Sequence, residues 1–497
     1  MNSIIRQFYV EASMTGTEIE GIALQQTLRR LTHDRIIPTV ATTVERCAPA
    51  ESHWYFERLL IDVGAIACER LEIDLPRIIA ESLERSLRHQ TQSSSAGGSD
   101  DAGSMRIQSF PVALEQALLN FLAAGRLPWS FPLKAGQTLE TAVLANWREG
   151  RSMLKNTVVE RDTRQTDFNR AVIELLASSQ VRSRLFSQFS GLFLEILLRR
   201  LSPGAASVLE RVAETLPEVA ASDRKKDTFI RLLLESLYEA LAMHRAVQAD
   251  RLVLKCWNDM KKSVPEWERR PWQDWLASHW LSDADDFGAA ERDADRSAHA
   301  NLDGQGADVR QPFSLLDRLK TSADAELSEG IFVANAGLVL LHPFLPQLFR
   351  ALAIADGNRL LKPERALALL HYLATGLMPA PEYELVLPKL LCDIPLAMPV
   401  AMLKELLEDE IREVDALLEA VVRHWAALGD ASIDSLRGTF LLRPGKVSRR
   451  RDGDWQVQVE YSSFDILLNR LPWGISMFQL PWMQSLCWVE WRYESEC

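Results

Sequence analysis

The sequence predicts a mainly α (α+β) fold: a multi-domain helical protein with a small strand pair near the N-terminus and a β-hairpin near the C-terminus. Three observations carry this. Apolar residues recur every three to four positions through most of the chain. Two Ser/Gly/Asp-rich stretches interrupt that pattern. Near the C-terminus the period changes to two around an Asp-Gly pair. With 497 residues the chain exceeds one ordinary core, so two to four domains are expected.

Residues 1–90 read as an N-terminal α+β domain. A near-repeat, "ERLLIDVGAI" (Glu57 to Ile66) and "ERLEIDLPRI" (Glu69 to Ile78), alternates apolar and polar residues around Ile-Asp. It predicts two short strands, with Gly64 and Ala65 between them. Helical spacing of Ile78, Ile79, Leu83 and Leu87 flanks the pair. The segment 91–104, "TQSSSAGGSDDAGS", has no large apolar residue and reads as a flexible linker.

Residues 105–281 read as a helical middle domain. "FLAAGRLPWSFP" ends a helix at Gly125 and follows it with Pro128, a common stop signal. "FIRLLLESLYEALAMHRAV" gives five turns with no proline. A second flexible linker, 282–311, leads to a C-terminal helical domain, 312–497, with a β-hairpin and a Trp-rich tail.

In that domain "PERALALLHYLATG" has Pro363 in a first turn and Gly376 at the stop, the usual helix punctuation. From Leu403, the positions Leu407, Ile411, Val414, Leu418, Val421 and Trp425 step by three and four, predicting an amphipathic helix of about six turns. "GKVSRRRDGDWQVQVEY" predicts a hairpin, with Asp452-Gly453 suited to a type I′ turn. The tail then places Trp473, Trp482, Trp488 and Trp491 close together. They form either a packed core whose indoles find hydrogen-bond partners or an aromatic surface that docks a partner.

The formal net charge of −12 argues against a general nucleic-acid binder, which needs a basic surface. Arg224-Lys225-Lys226 and Arg449-Arg450-Arg451 are short runs of the kind that sits on solvated faces or turns. The six cysteines are scattered without a C-x-x-C pair, which fits reduced thiols of a cytoplasm. No secretory h-region opens the chain, and no apolar run reaches membrane-spanning length, so no membrane is expected among its partners.

Catalytic motifs are missing: there is no P-loop, G-x-G-x-x-G, G-x-S-x-G or H-E-x-x-H. No catalytic, cofactor-binding or metal-binding residue is therefore assigned. His342, His371 and His424 lack the partner spacing that makes zinc motifs specific. His371 lies one helical turn after Leu367 and packs at the edge of a core. His424 sits where a helix C-terminus favours a cation. An enzyme built on His342 or His371 has no motif behind it.

Because His342 precedes Pro343, the chain is expected to run extended or turn through Leu340 to His342 and enter a helix near Pro343. Pro346 then falls in the first turn, and Phe344, Leu345, Leu348, Phe349 and Leu352 make one apolar face. Glu405, Glu408, Asp409, Glu410 and Glu413 are expected on the solvated side of the long helix.

Five segments occur in order: "NAGLVLLHPFLPQLF", "RALALLHYLATG", "ELVLPKLLCDIPLAMPV", "VVRHWAAL" and "LPWGISMFQLPWMQSLCWVEW". Together they resemble the tape measure proteins of contractile injection systems, the extracellular phage-tail-like particles of bacteria. "FLAAGRLPW" and "LEIDL" are similar to the same family. The resemblance is dense from Gly330 to Trp491 and partial over residues 1–130. It implies a non-catalytic structural and assembly role that sets tube and sheath length, with tail tube, baseplate or sheath proteins as partners and self-association as a further option. It implies assembly in the cytoplasm, with retention in the released particle left open.

The candidate family-motif or interaction residues are Asn335, Gly337, His342, Pro343, His371, Gly376, Trp425, Pro472, Trp473, Pro481, Trp482 and Trp491. A helical adaptor or chaperone docking through the Trp-rich tail is the alternative. A literal ruler would be a long continuous helix gaining ~1.5 Å per residue, whereas this chain has 22 prolines and no sustained heptads.

Overall fold

The computed structural model describes residues 8–47, 52–56, 59–94, 105–128, 130–131, 133, 136–152, 158–216, 223–245, 247–280 and 315–491. Of the two linkers read from composition, residues 95–104 and 282–311 lie outside the described residues, and Thr91 to Ser94 close a helix. The chain divides into two units: Met1–Ala117 with Pro128–Asn146, and Leu118–Leu127 with Trp147–Cys497.

In the first unit, Thr17 and Glu20 form a capping box that starts α1 (Glu18–Leu31). A π-turn at Thr32–Ile36 leads into α2 (Ile37–Cys47). Strand β1 (Ser52–Phe56) is followed, after an irregular stretch, by α3 (Leu71–Ser94) and by β2 (Met105–Ser109), which pairs antiparallel with β1. The core joins Leu31, Ile36 and Val40 to Leu75, Ile79, Leu83 and Leu87.

A strand pair is present, but not the one the near-repeat predicts. Residues 59–67 are irregular, and "LEIDLPRII" is the start of α3. Leu75, Ile79, Leu83 and Leu87 recur every fourth residue, and burying that stripe outweighs a short alternation that fits either period. The ladder instead comes from residues on either side of α3.

The second unit begins with the end of α4 (Phe110–Ala124), which stops at Gly125, φ +75°. Helix α5 (Leu139–Ser152) starts in the first unit and ends in the second, whose helical part then comprises α6 (Val158–Leu176), α7 (Ser179–Gln188), α8 (Gly191–Leu201), α9 (Pro203–Thr215), α10 (Asp223–Ala242), α11 (Ala249–Met260) and α12 (Glu266–His279). Caps explain several starts: Ser190 accepts from Phe193 N and Ser202 from Ala205 N, each at 3.2 Å. Aromatic packing fills the interior. Phe189 stacks on Phe193 at 4.2 Å, and Trp257 on Trp272 at 5.6 Å.

From α13 (Leu315–Glu329) the chain enters the region of the ordered motifs. Its strands β3 (Ile331–Val333), β6 (Gly445–Arg449), β7 (Trp455–Val459), β8 (Met477–Phe478) and β9 (Cys487–Trp491) form one sheet in the order β3-β6-β7-β9-β8. The β7–β9 pair is parallel and the others antiparallel. A two-residue ladder, β4 (Ala355–Asp356) with β5 (Arg359–Leu360), stands apart. Around the sheet lie α14 (Leu345–Ala351), α15 (Pro363–Thr375), α16 (Val386–Leu391), α17 (Glu408–His424) and α18 (Ile433–Leu436). They enclose one core with Leu338, Leu341, Phe349, Leu370, Leu387, Leu418, Trp425, Val447 and Val457.

Four local expectations need correction. Residues 336–341 form a 3-10 helix and His342 itself is helical (φ −51°, ψ −36°), because burying all six of those residues outweighs the pre-proline bias toward extended backbone. The hairpin loop spans five residues, 450–454. Gly453 has positive φ and Asp452 does not, and Asp452 Oδ1 accepts from Asp454 N at 3.1 Å, so the turn is not type I′. Helix α17 starts at Glu408, not at Leu403. Glu410 is buried, not solvated, because Arg365 and the Leu407 N–H bind its carboxylate. The Pro363 start, the Gly376 left-handed stop and Pro346 in a first turn are as expected.

Candidate functional site

The histidines occupy separate, packed environments. His342 lies flat on Phe478 at 4.4 Å and bonds the Val339 carbonyl through Nδ1 at 3.0 Å. Burial pulls its imidazole below the ordinary value, against the smaller opposing effect of that bond. His371 is buried, with Nε2 2.7 Å from Glu384 Oε2 and Nδ1 3.2 Å from Leu377 O. The ring of His424 stacks on Trp473 at 6.1 Å. Among the described residues no group of three or more His, Cys, Asp or Glu side chains is placed to hold a metal ion.

The tryptophans are seated in their own molecule. Trp425 Nε1 donates to Leu467 O (3.2 Å), Trp473 Nε1 to Leu340 O (3.0 Å) and Trp482 Nε1 to Leu391 O (2.8 Å). Trp482 also stacks on Phe349 at 5.2 Å, and Arg443 lies over the Trp491 ring at 5.7 Å. The acceptors lie in the 3-10 helices Ser463–Arg470 and Ala336–Leu341 and at the last residue of α16, so the indoles tie short helices to the core. Pro343, Pro472 and Pro481 are exposed at the surface between these anchors.

The other motif residues control close approach. Asn335 Nδ2 bonds Glu384 O at 3.3 Å. A Cβ on Gly337 would lie 1.7 Å from Phe440 O, so only glycine fits there. Gly376 ends α15 under Arg437, whose Nε donates to Leu373 O at 3.2 Å.

What the sequence reading misses is a knot of buried charge. Arg184, Glu382 and Lys389 are almost wholly out of solvent. Arg184 Nε meets Glu382 Oε2 at 3.0 Å, and Lys389 Nζ meets Glu382 Oε1 at 2.7 Å. Their remaining donors serve backbone carbonyls: Arg184 those of Leu122 and Ala397, both at 2.6 Å, and Lys389 those of Leu396 (2.9 Å) and Met398 (2.7 Å). Gln188 completes the set, donating to Val400 O at 2.8 Å and accepting from Glu382 N at 2.9 Å.

Burial lowers the Lys389 pKa, and the carboxylate of Glu382 opposes that shift. Such a pair is weak evidence of net stability, but removing one partner costs about 3–5 kcal/mol. Gly125 touches the same knot: a Cβ there would stand 2.4 Å from Glu382 Oε1. Thus "FLAAGRLPW" and "ELVLPKLLCDIPLAMPV", far apart in sequence, meet at one place. The one legible trace was Lys389 inside an apolar run; Arg184 and Glu382 carry no local signal.

A second buried pair, Arg443 Nη1 to Asp465 Oδ1 at 2.7 Å and Nη2 to Oδ2 at 3.1 Å, anchors the 3-10 helix Ser463–Arg470. Arg443 also reaches the Glu460 carbonyl, and Asp465 Oδ2 accepts from Ser462 N at 2.9 Å. The carboxylates and cations of both knots are bonded to protein groups and hold segments of the fold together.

No curated protein and no solved structure matches the chain. The family model for contractile injection system tape measure proteins matches residues 2–491, from the first unit through the last strand of the sheet. That match covers nearly all of the chain, so it belongs to the contractile injection system tape measure protein family.

Proposed function

We propose that this chain is a structural assembly protein of a contractile injection system that governs tube and sheath length as a folded body. The family is a structural one whose members associate with other particle components. The observation that carries the folded-body reading is the motif region itself, one core closed by buried ion pairs and indole anchors. Drawing it out into a ruler would surrender that core. The longest helix of the described residues, Leu71–Ser94, reaches only about 36 Å at 1.5 Å per residue.

Tube, baseplate or sheath proteins are the partners this reading calls for, with self-association as a further option. Docking through the C-terminal segment as an adaptor is a second reading. Exposed Phe464, Ile466 and Met477 favour it, since Trp473 and Trp482 are engaged internally.

Electron microscopy of particles made with residues 282–311 shortened or lengthened tests the proposal. Unchanged tail length, with loss of particles when the protein is removed, supports a folded assembly factor. Length that moves in proportion to the residues added makes the chain a physical ruler and overturns it.

A further inference from the structure

Residues 401–407, Ala-Met-Leu-Lys-Glu-Leu-Leu, present a conflict. Every one belongs to the strongest helix-forming class, and they lead directly into α17. Leu403 and Leu407 continue its buried stripe of Val414, Leu418 and Val421. Lengthening an existing helix also avoids the unfavourable nucleation step. Yet the backbone runs through 401–407 without helix, turn or bend. Among the described residues, the N–H groups of Ala401 to Leu406 have no acceptor. A local preference overridden in this way marks a strained or functional element.

What overrides it is visible at both ends. Upstream, the carbonyls of Leu396, Ala397, Met398 and Val400 are held by Lys389, Arg184 and Gln188. Downstream, Glu410 accepts from the Leu407 N–H at 2.8 Å and is itself bound by Arg365, which fixes the helix start. Seven extended residues span up to about 23 Å, whereas seven helical ones span about 10 Å. Contraction toward the helical length would draw these tethered ends together, so it requires one of them to let go.

We propose that residues 401–407 are a helix held open: a two-state switch in which the clamp from α7, Gln188 on Val400 beside the segment and Arg184 on Ala397, keeps the segment extended. Its release lengthens α17 by about two turns, back to Ala401. The released state carries Leu403, Leu406 and Leu407 on a helix that projects beyond the present Glu408 start. The switch is a property of the folded chain and holds whether the protein counts length or licenses assembly.

Hydrogen exchange of the full chain tests it. In the extended state the amides of residues 405–410 precede the helical ladder; in the lengthened helix each bonds a carbonyl four residues back. Arg184→Met combined with Gln188→Ala removes the tethers from α7 while Glu382 keeps Lys389 as its partner. Deuterium uptake over residues 405–410 is expected to slow about tenfold, and adding Lys404→Pro is expected to restore fast uptake. A clamp with a purely structural role gives unchanged or faster uptake on release, and that result overturns the proposal. Should the double variant fail to fold, Gln188→Ala alone, which leaves both ion pairs intact, is read in the same peptide. Slowing there supports the switch, and no slowing rejects it.

Discussion

Replacing Gly337 by alanine is expected to be among the most damaging single-methyl additions to this chain. The added Cβ would stand 1.7 Å from the Phe440 carbonyl oxygen, 2.7 Å from its carbon and 2.8 Å from Leu441 Cα. All three are backbone atoms, so no rotamer change relieves the clash. Reaching even a tight contact requires the carbonyl to withdraw by about 1.3 Å. Phe440 and Leu441 are buried, and the π-turn Arg437–Leu441 that carries them is held by Arg437 on Leu373 O and by the neighbouring Arg443 on Asp465. Overpacking of this kind costs about 3 kcal/mol or more, which lowers Tm by about 6–12 °C for a domain of 150–250 residues.

The assay is thermal unfolding followed by tryptophan fluorescence, since Trp425, Trp473 and Trp482 all pack in this core. Gly438→Ala is the matched control from the same π-turn. Its Cβ would meet nothing within 4 Å and its φ is not positive, so it is expected to be neutral or stabilising by about 0.4–1 kcal/mol. A Gly337→Ala protein melting within about 1 °C of its parent would refute the close approach of these two segments.

Asp465→Asn leaves the buried Arg443 guanidinium without its counter-charge and is expected to cost about 3–5 kcal/mol in a denaturant titration. The double replacement Arg443→Met/Asp465→Leu should cost less than the single one, because it removes both charges. Acidification should destabilise the fold through two groups of the same sign. Burial keeps His342 neutral and lowers its pKa, so its contribution is complete above the unfolded value near 6.5 and falls as pH drops toward the folded one. Glu410 is raised by burial, but its bonds to Arg365 and to the Leu407 N–H prevail and lower it overall. Its contribution is complete above 4.5 and is lost as pH falls through the folded pKa. His342→Phe, which retains stacking on Phe478, should flatten the decline in Tm between neutral pH and about pH 5. An unchanged slope would remove His342 from that account.

Elements whose signals are local were legible. Pro363 and Gly376 bracket α15, Gly125 stops α4, and the alternation of Trp455, Val457 and Val459 reads as a strand because each side chain in turn meets the core or the surface. The parallel β7–β9 pair was not, since its register depends on a long crossover that no short pattern encodes. The N-terminal strand pair was expected in the right region and drawn from the wrong residues. Ten residues of "ERLEIDLPRI" fit both periods, and only the following Leu83 and Leu87 decide between them. The tail cluster of Trp473, Trp482, Trp488 and Trp491 was legible as a set, with core packing and docking both open; the indoles of Trp473 and Trp482 bond backbone carbonyls of their own chain, which no local pattern announces.

The charged knots share one physical logic. The motif region joins short helices and strands through irregular connections, residues 393–407 and 479–486 among them, and buried backbone polar groups in such connections and at helix ends have no ladder to satisfy them. Arg and Lys each bring several donors to one point. Arg184, Lys389, Arg437 and Arg443 accordingly serve the carbonyls of residues 122, 373, 396, 397, 398 and 460 as well as the carboxylates beside them. A charge placed in an apolar run, as Lys389 is in "LVLPKLLC", therefore reads here as a fastener of backbone. Fasteners of this kind hold only while every partner is in place. The same property gives the folded body its definition and makes residues 394–407 the segment most open to release: their backbone is bound to the rest of the chain mainly through three side chains, two of them on α7.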